Sequence, residues 1–496
     1  MSTSTQRGIF ARKPIDMLLA ELAGEHRLKR ALGPVTLTAL GIGCIIGAGI
    51  FVLTGLAANQ YAGPGLVLSF VIAGLGCAFA ALCYAEFASM VPVAGSAYTY
   101  AYATLGEIFA WIIGWDLVLE YAVASSTVAH GWSHYLIAFL GLFDVKLPAM
   151  WTSGPIEFNP ATHEWFVTGA ILNAPALLVV LALTVLLVIG ISESARFNAA
   201  MVILKVAVVL FVIVVGAPQI DVSNWHPFLP YGMAGVLKGA AYIFFAYVGF
   251  DSVSTHAEEA INPQRDVPIG IIASLAICTI LYILVAGVLT GMVPYDQIHL
   301  DAPVAEAFAT RGLHTAVFII SVGAIAGLTS VLLVLMLSQS RVLFAMARDG
   351  MIPYDFFGAV HPRFKTPHRT TILVGVLVAI VGATFPLKIL ADLVNIGTLM
   401  AFVVVCAAVL VMRRSEPDLH RPFRTPWVPV VPILGIGTNL MLMFALGWEN
   451  WLRLIVWLGI GMVIYFGYSR HHSVLARNLE AEIATGGVSP GGRLRG

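Results

Sequence analysis

The chain has 496 residues, of which 59% are hydrophobic and 11% charged, with a mean hydropathy of +0.89. Its 27 Lys and Arg balance 27 Asp and Glu. So apolar a composition excludes a soluble globular domain, and zero net charge leaves no basic surface for a nucleic acid.

Residues 1–34 are polar and basic, carry no cleavable signal pattern, and are expected to form a cytoplasmic N-terminal segment. A bilayer core takes about 20 apolar residues per helix. Apolar runs set against charge clusters then predict twelve spans: 35–58, 64–88, 98–142, 174–191, 194–217, 233–256, 267–292, 313–347, 371–387, 390–412, 429–447 and 450–468. The fold class is all-α integral membrane. The third and eighth spans exceed a simple crossing and are expected to tilt or run into loops.

Basic residues orient the chain. With the N-terminus inside, cytoplasmic segments hold 21 of the 27 Lys and Arg, among them Arg196, Arg265, Arg341, Arg348, Arg413 and Arg414. The other side holds only Lys146, Arg311, Lys388 and Arg453, while Lys205 and Lys238 lie in or at the edge of spans. Both termini are therefore expected in the cytoplasm, with 469–496 a cytoplasmic tail and the cell membrane the location. The five cysteines (Cys44, Cys77, Cys83, Cys278 and Cys406) all sit inside apolar runs without disulfide or metal spacing, as buried packing residues.

The first span is interrupted by Gly41-Ile42-Gly43-Cys44-Ile45-Ile46-Gly47-Ala48-Gly49-Ile50-Phe51. Each Gly costs a helix about 1 kcal/mol relative to Ala. Irregular backbone at membrane depth survives only where protein or a cavity satisfies it. The sixth span has a second small-residue break, Ala246 to Gly249, followed by Phe250 and Asp251. Such glycines also let helices pack closely. Two breaks in corresponding positions point instead to two inverted five-helix halves, 35–218 and 233–412, with helices 11 and 12 added over 427–468.

The chemistry of paired breaks follows from helix ends. A half-helix starting near Gly49 presents free N–H groups and a positive dipole end to a carboxylate. Unwound carbonyls near Ile45, Phe245 and Ala246 would accept from an ammonium group. One anion site beside one cation site describes an α-amino acid, with Phe250 as an aromatic lid. Lys205 stands roughly mid-span in the fifth helix, where a charge costs about 2.5–3.5 kcal/mol or more. It is too deep to snorkel easily. A lysine in that setting can load or release a proton as its surroundings change, so it is the expected coupling residue.

Other ionisable residues read less sharply. Asp116 and Glu120, one turn apart in the third span, either contact a cationic substrate side chain or serve a structural seam or partner contact, the latter being favoured. Glu86 reads as structural, and His130 and His134 as polar packing. A gating role for Asp251 is left open. His256, Glu258 and Glu259 lack H-E-x-x-H spacing and lie beside Arg265 and Asp266, so ion pairs at an inner gate are expected rather than a metal site. No catalytic residues, cofactor or metal are expected. A polytopic enzyme is disfavoured by the absence of any nucleophile or ligand motif, and a channel by the absence of filter loops. An amino acid sensor that moves nothing remains separable only by transport measurements.

The strings GIGCIIGAGIFVLTG (41–55), AGSAYTYAYATLGEIFAWIIGWDLVLEY (94–121), FFAYVGFDSVSTHAEEAINPQRDVPIGI (244–271), SQSRVLFAMARDGMIP (338–353) and EPDLHRPFRTPWVPVVPILG (416–435) resemble permeases of the amino acid–polyamine–organocation superfamily. The match is to bacterial relatives of the cationic amino acid transporters, and it covers essentially all twelve spans. The resemblance implies a five-plus-five inverted repeat with two extra helices. It implies carboxylate contact by the amides of Ala48 and Gly49, ammonium contact by carbonyls of Ile45, Phe245, Ala246 and Val248, and a gate at Phe250. It also implies that Lys205 replaces a structural sodium ion and bridges carbonyls near Gly43 and in the eighth span. Relatives often carry Thr or Ser where this chain has Ala48, so a hydroxyl contact is missing. The reading is a proton-coupled importer of L-amino acids, with a sodium-coupled or exchange-type amino acid or polyamine carrier as the alternative. The substrate side chain is left open between small neutral, such as alanine, and cationic, such as arginine. Expected partners are the amino acid, a proton and the lipid bilayer. A small membrane-protein or sterol-like partner against the outer helices is left open.

Overall fold

The computed structural model describes residues 8–14, 32–91, 96–159, 164–189, 195–364 and 366–477. Most of the predicted N-terminal segment and the tail beyond 477 therefore lie outside the described residues, as do Lys365 and the side chains of Arg196 and Glu258. Helices take up the apolar runs, because only a helix satisfies every backbone group of a single segment in hydrocarbon. In chain order they are α1 (Pro34–Ile45), α2 (Leu66–Met90), α3 (Ser96–Thr104), α4 (Glu107–Gly141), α5 (Ala174–Ile189), α6 (Ala195–Gly216) and α7 (Gly232–Ile243). They continue with α8 (Pro263–Met292), α9 (Pro303–Ala309), α10 (His314–Arg348), α11 (His368–Thr384), α12 (Leu387–Ser415), α13 (Val430–Ala445) and α14 (Trp448–Ile464).

Among the described residues, eight helical stretches are long and apolar enough to cross a membrane. Four shorter apolar helices, α1, α5, α11 and α13, accompany them. The chain is a multi-pass helical membrane protein. Helix α8 packs against α1 and α2, α4 against α10 and α12, and α5 against α11, while α6 touches both α1 and α10. One continuous apolar core joins these elements.

Two expectations change. The third predicted span, 98–142, is two helices rather than one tilted helix. The chain turns between α3 and α4 at Gly106, whose φ of +106° lies in the left-handed region. A Cβ there would stand 2.7 Å from the Phe10 carbonyl oxygen. The eighth span, by contrast, is a single 35-residue helix about 52 Å long, longer than a simple crossing as expected. The boundary between the ninth and tenth spans moves back by three residues: α11 stops at Thr384 and α12 starts at Leu387, with Pro386 as the cap between them.

An exposed two-stranded hairpin, β1 (Ile156–Asn159) and β2 (Glu164–Val167), joins α4 to α5. Its few residues escaped notice between long apolar runs. The approach to α1 is tied down by backbone pairing: the Leu32 amide donates to the Glu259 carbonyl at 3.0 Å, and the Ile261 amide to the Leu32 carbonyl at 2.9 Å. The start of the first span is thus joined to the chain just beyond the second break.

Candidate functional site

Helix α1 stops where the glycines predict. Ile46 is extended (φ −72°, ψ 101°), and helical backbone resumes as a π-turn at Gly49–Leu53. A stopped helix leaves its last carbonyls without internal donors, and three of them find donors here. The Ile42 carbonyl accepts from the Ile46 amide at 2.9 Å. The Gly43 carbonyl accepts from Lys205 Nζ at 2.7 Å. The Ile45 carbonyl accepts from the Tyr282 hydroxyl of α8 at 2.8 Å. On the far side of the break the first amides of the new half-helix, at Ala48 and Gly49, begin a turn with no preceding helix to receive them.

The second break follows α7. A 3₁₀ turn, Phe244–Tyr247, leads to Val248 (φ −57°, ψ 130°) and Gly249 (φ +113°) before helical backbone resumes at Ser252–Thr255. The Phe245 carbonyl accepts from the Val248 amide at 3.1 Å. A carbonyl oxygen has two lone pairs, so Ile45 and Phe245 each keep acceptor capacity.

The two breaks touch. A Cβ placed on Gly49 would fall 2.2 Å from Ala246 Cα, and one on Gly249 would fall 3.0 Å from the Cys44 carbonyl oxygen. Backbone meets backbone at both points, so small residues are required for the approach itself. Ile45, Ala48, Gly49, Phe245, Ala246 and Val248 are thereby gathered into one buried place. Phe250 is fully buried beside it, edge-on to Tyr84 at 5.8 Å and tilted against Phe402 at 5.0 Å. The ring is thus part of an aromatic cluster linking α2 and α12 to the break.

Lys205 is 0% exposed. Its stem runs along Gly327 of α10, where an added Cβ would sit 3.2 Å from the lysine Cγ. The side chain therefore joins α6 to the stopped end of α1 while lying against α10.

Asp116 and Glu120 are buried at the seam of α4 with α12. A Cβ on Gly397 would meet Asp116 Oδ1 at 2.6 Å, so a larger residue there would have to displace the carboxylate. Neither Asp116 oxygen, nor Glu120 Oε2, has a hydrogen-bond partner among the described residues. Glu120 lies within electrostatic reach of Asp251, which in turn accepts from the Tyr121 hydroxyl at 3.3 Å. Glu86 is tied into an ion-pair network with Arg413 and Arg421. His130 and His134 stack edge-on at 4.8 Å and line a cavity of about 350 Å³ with Gln60, Asp301 and Lys388. His256 Nδ1 meets the Ser252 carbonyl oxygen at 2.9 Å. No group of three His, Cys, Asp or Glu among the described residues could hold a metal ion.

Sequence reasoning passed over Tyr282 and Tyr135, whose hydroxyls hold the Ile45 and Phe51 carbonyls at 2.8 and 2.6 Å on either side of the first break. Each is a polar-tipped residue in an otherwise apolar run, and buried Tyr hydroxyls usually find an acceptor; that was the available signal.

A model of the amino acid permease family matches residues 32–468. The chain belongs to that family. The permease is 50% identical over 468 residues to a branched-chain amino acid permease of Bacillus subtilis, covering 94% of this chain and 99% of that one. It is 47% identical over 467 residues to a methylthioribose transporter of the same organism, with the same coverage. It is also 41% identical over 417 residues to vacuolar cationic amino acid transporter 4 of Arabidopsis thaliana, covering 83% of this chain and 68% of that one. The resemblance to relatives of the cationic amino acid transporters therefore holds, and the permease is a transporter, not an enzyme.

Proposed function

We propose that this permease is a secondary carrier that imports L-amino acids by alternating access, coupled to protons through Lys205. The reading rests on the contact of the two breaks, Gly49 against Ala246 and Gly249 against Cys44, at the buried place where both helices stop. In this reading the amides of Ala48 and Gly49 hold the substrate carboxylate. Carbonyls of Ile45, Phe245, Ala246 and Val248 take its ammonium group, and Phe250 closes over it. Residues 35–218 and 233–412 form inverted halves of a twelve-span fold, helices 11 and 12 lie in 427–468, and both termini face the cytoplasm.

The side-chain end of the substrate is neutral in this proposal. The relative sharing half its residues with this chain is a branched-chain amino acid permease. Asp116 and Glu120 sit buried at the α4–α12 seam and are not among the break residues assigned to the substrate here. That the methylthioribose transporter is nearly as similar means overall identity alone does not choose the side chain.

Lys205 carries the coupling proposal because its ammonium occupies the Gly43 carbonyl that the break frees. Its proton is exchanged when α1 and α6 part during the transport cycle. Purified permease in proteoliposomes should accumulate radiolabelled leucine or alanine when an inside-alkaline pH gradient is imposed, with no requirement for sodium. Sodium-dependent uptake indifferent to the pH gradient would overturn the coupling. Saturable binding without uptake or counterflow would overturn transport itself.

A further inference from the structure

Helix α8 opens with Pro263, and its first turns expose Arg265. Pro268, Ile269, Ile272, Ala273 and Ala276 continue from it at three- and four-residue spacing, so all lie on one face. Pro422 and Phe423 wall the other side, and the groove between encloses about 560 Å³. The two alanines keep it open where larger side chains would fill it.

The groove has a polarity along its length. Arg265 stands at its mouth, exposed, and among the described residues no carboxylate pairs with it. The adjacent Asp266 is buried and turned to the Asn262 amide at 3.1 Å, so it does not neutralise the guanidinium. Arg424, next in sequence to Phe423, is also exposed. From Arg265 to Ala276 the lining is apolar over about 16 Å of helix, close to the roughly 15 Å of one leaflet. Beyond Ala276 the same face stays apolar and exposed at Ile280 and Leu284, so the wall is at least one leaflet deep. A single cation at the head of such a wall matches the charge and length of an anionic amphiphile.

We propose that this groove binds one anionic glycerophospholipid, its phosphate on Arg265 and one acyl chain along Pro268 to Ala276. Arginine suits the headgroup because its fork donates to two phosphate oxygens at once. The site lies apart from the helix breaks, so the proposal stands whether or not the transport reading does.

The test uses delipidated, detergent-purified full-length permease. Added phosphatidylglycerol should raise its apparent melting temperature by a few degrees, with phosphatidylcholine and glycerol 3-phosphate leaving it unmoved. Native mass spectrometry should show one retained phospholipid. R265Q should lose both the shift and the adduct, and so should A273F, which fills the groove without touching the charge. K146Q, which removes an exposed cation elsewhere, should keep both. An equal response to phosphatidylcholine or to glycerol 3-phosphate would overturn the assignment. So would an unchanged response in R265Q and A273F, or an adduct with the mass of a sterol or a peptide.

Discussion

Lys205 Nζ stands 2.7 Å from the Gly43 carbonyl oxygen, two residues before α1 stops. The bond ties a membrane-buried charge to a backbone group left without a donor by the helix break, so neither is stranded. Replacing the lysine with methionine keeps much of the apolar stem but removes the donor. The freed, buried carbonyl should then cost about 1–3 kcal/mol, seen as a lower melting temperature in detergent. If the lysine also carries the proton, K205M should cut pH-gradient-driven uptake by about tenfold or more, equivalent to 1.4 kcal/mol in the barrier. Leucine counterflow, which needs no gradient, should fall less. A variant that loses stability but keeps gradient-driven accumulation would make Lys205 a structural residue only.

The breaks meet through main chain, so their glycines should tolerate nothing larger. Ala at position 49 would place a methyl carbon 2.2 Å from Ala246 Cα, a clash with backbone that no rotamer relieves. Ala at 249 would combine contact with the Cys44 carbonyl and a φ of +113° that only glycine adopts easily. G49A and G249A should therefore abolish uptake while leaving the protein in the membrane. Gly287 in α8 supplies the control, since a Cβ there meets nothing within 4 Å. G287A should transport normally and be equal or higher in stability, by up to about 1 kcal/mol from helix propensity. Equal activity in G49A and wild type would show that the close approach is incidental to transport.

How far the sequence can be read depends on how local each feature is. Gly43, Gly47 and Gly49 mark the first break because helix propensity is lost within a few residues. The depth of Lys205 is legible by counting along one helix. What caps the broken helix is a different matter: Tyr282 reaches Ile45 across 237 residues, and no local pattern announces which tyrosine will do so. Hydropathy also averages over short features. It ran through Gly106, whose positive φ splits the third span, and it overlooked the four-residue strands of the hairpin. Asp116 and Glu120 lie one turn apart in the sequence as in the fold, but that Gly397 faces Asp116 is a property of helix packing alone.

Tyr282 offers a test of the break that does not depend on Lys205. Its hydroxyl occupies one lone pair of the Ile45 carbonyl, leaving the other for the substrate ammonium in the proposed site. Y282F preserves the ring packing against Phe70 and Tyr247 and deletes only the donor. Stability should drop by about 0.5–1.5 kcal/mol. The carbonyl, no longer held, should turn more freely, so the Michaelis constant for leucine should rise with a smaller change in maximal rate. A changed maximal rate at constant Michaelis constant would place Tyr282 in the conformational cycle rather than in substrate binding.

The last prediction concerns the end of α2, where Glu86 is 1% exposed. Arg413 Nε and Nη2 donate to its two oxygens at 2.9 and 2.8 Å, a two-pronged pair that ties α2 to the end of α12. The Thr425 amide donates to Glu86 at 2.8 Å, and Arg421 Nε lies 3.3 Å from it, so the loop toward α13 is held by the same carboxylate. Removing one member of a buried ion pair leaves the others charged and unmatched, at about 3–5 kcal/mol. E86A should therefore be among the more destabilising single changes in the protein, visible as a lower melting temperature and reduced yield. R413Q should cost less, because Arg421 and the Thr425 amide remain on Glu86. Combining E86A with R413Q should recover part of the loss, since the double variant buries one unmatched charge fewer than E86A alone. Strict additivity of the two in a melting-temperature cycle would show that the pair is not coupled.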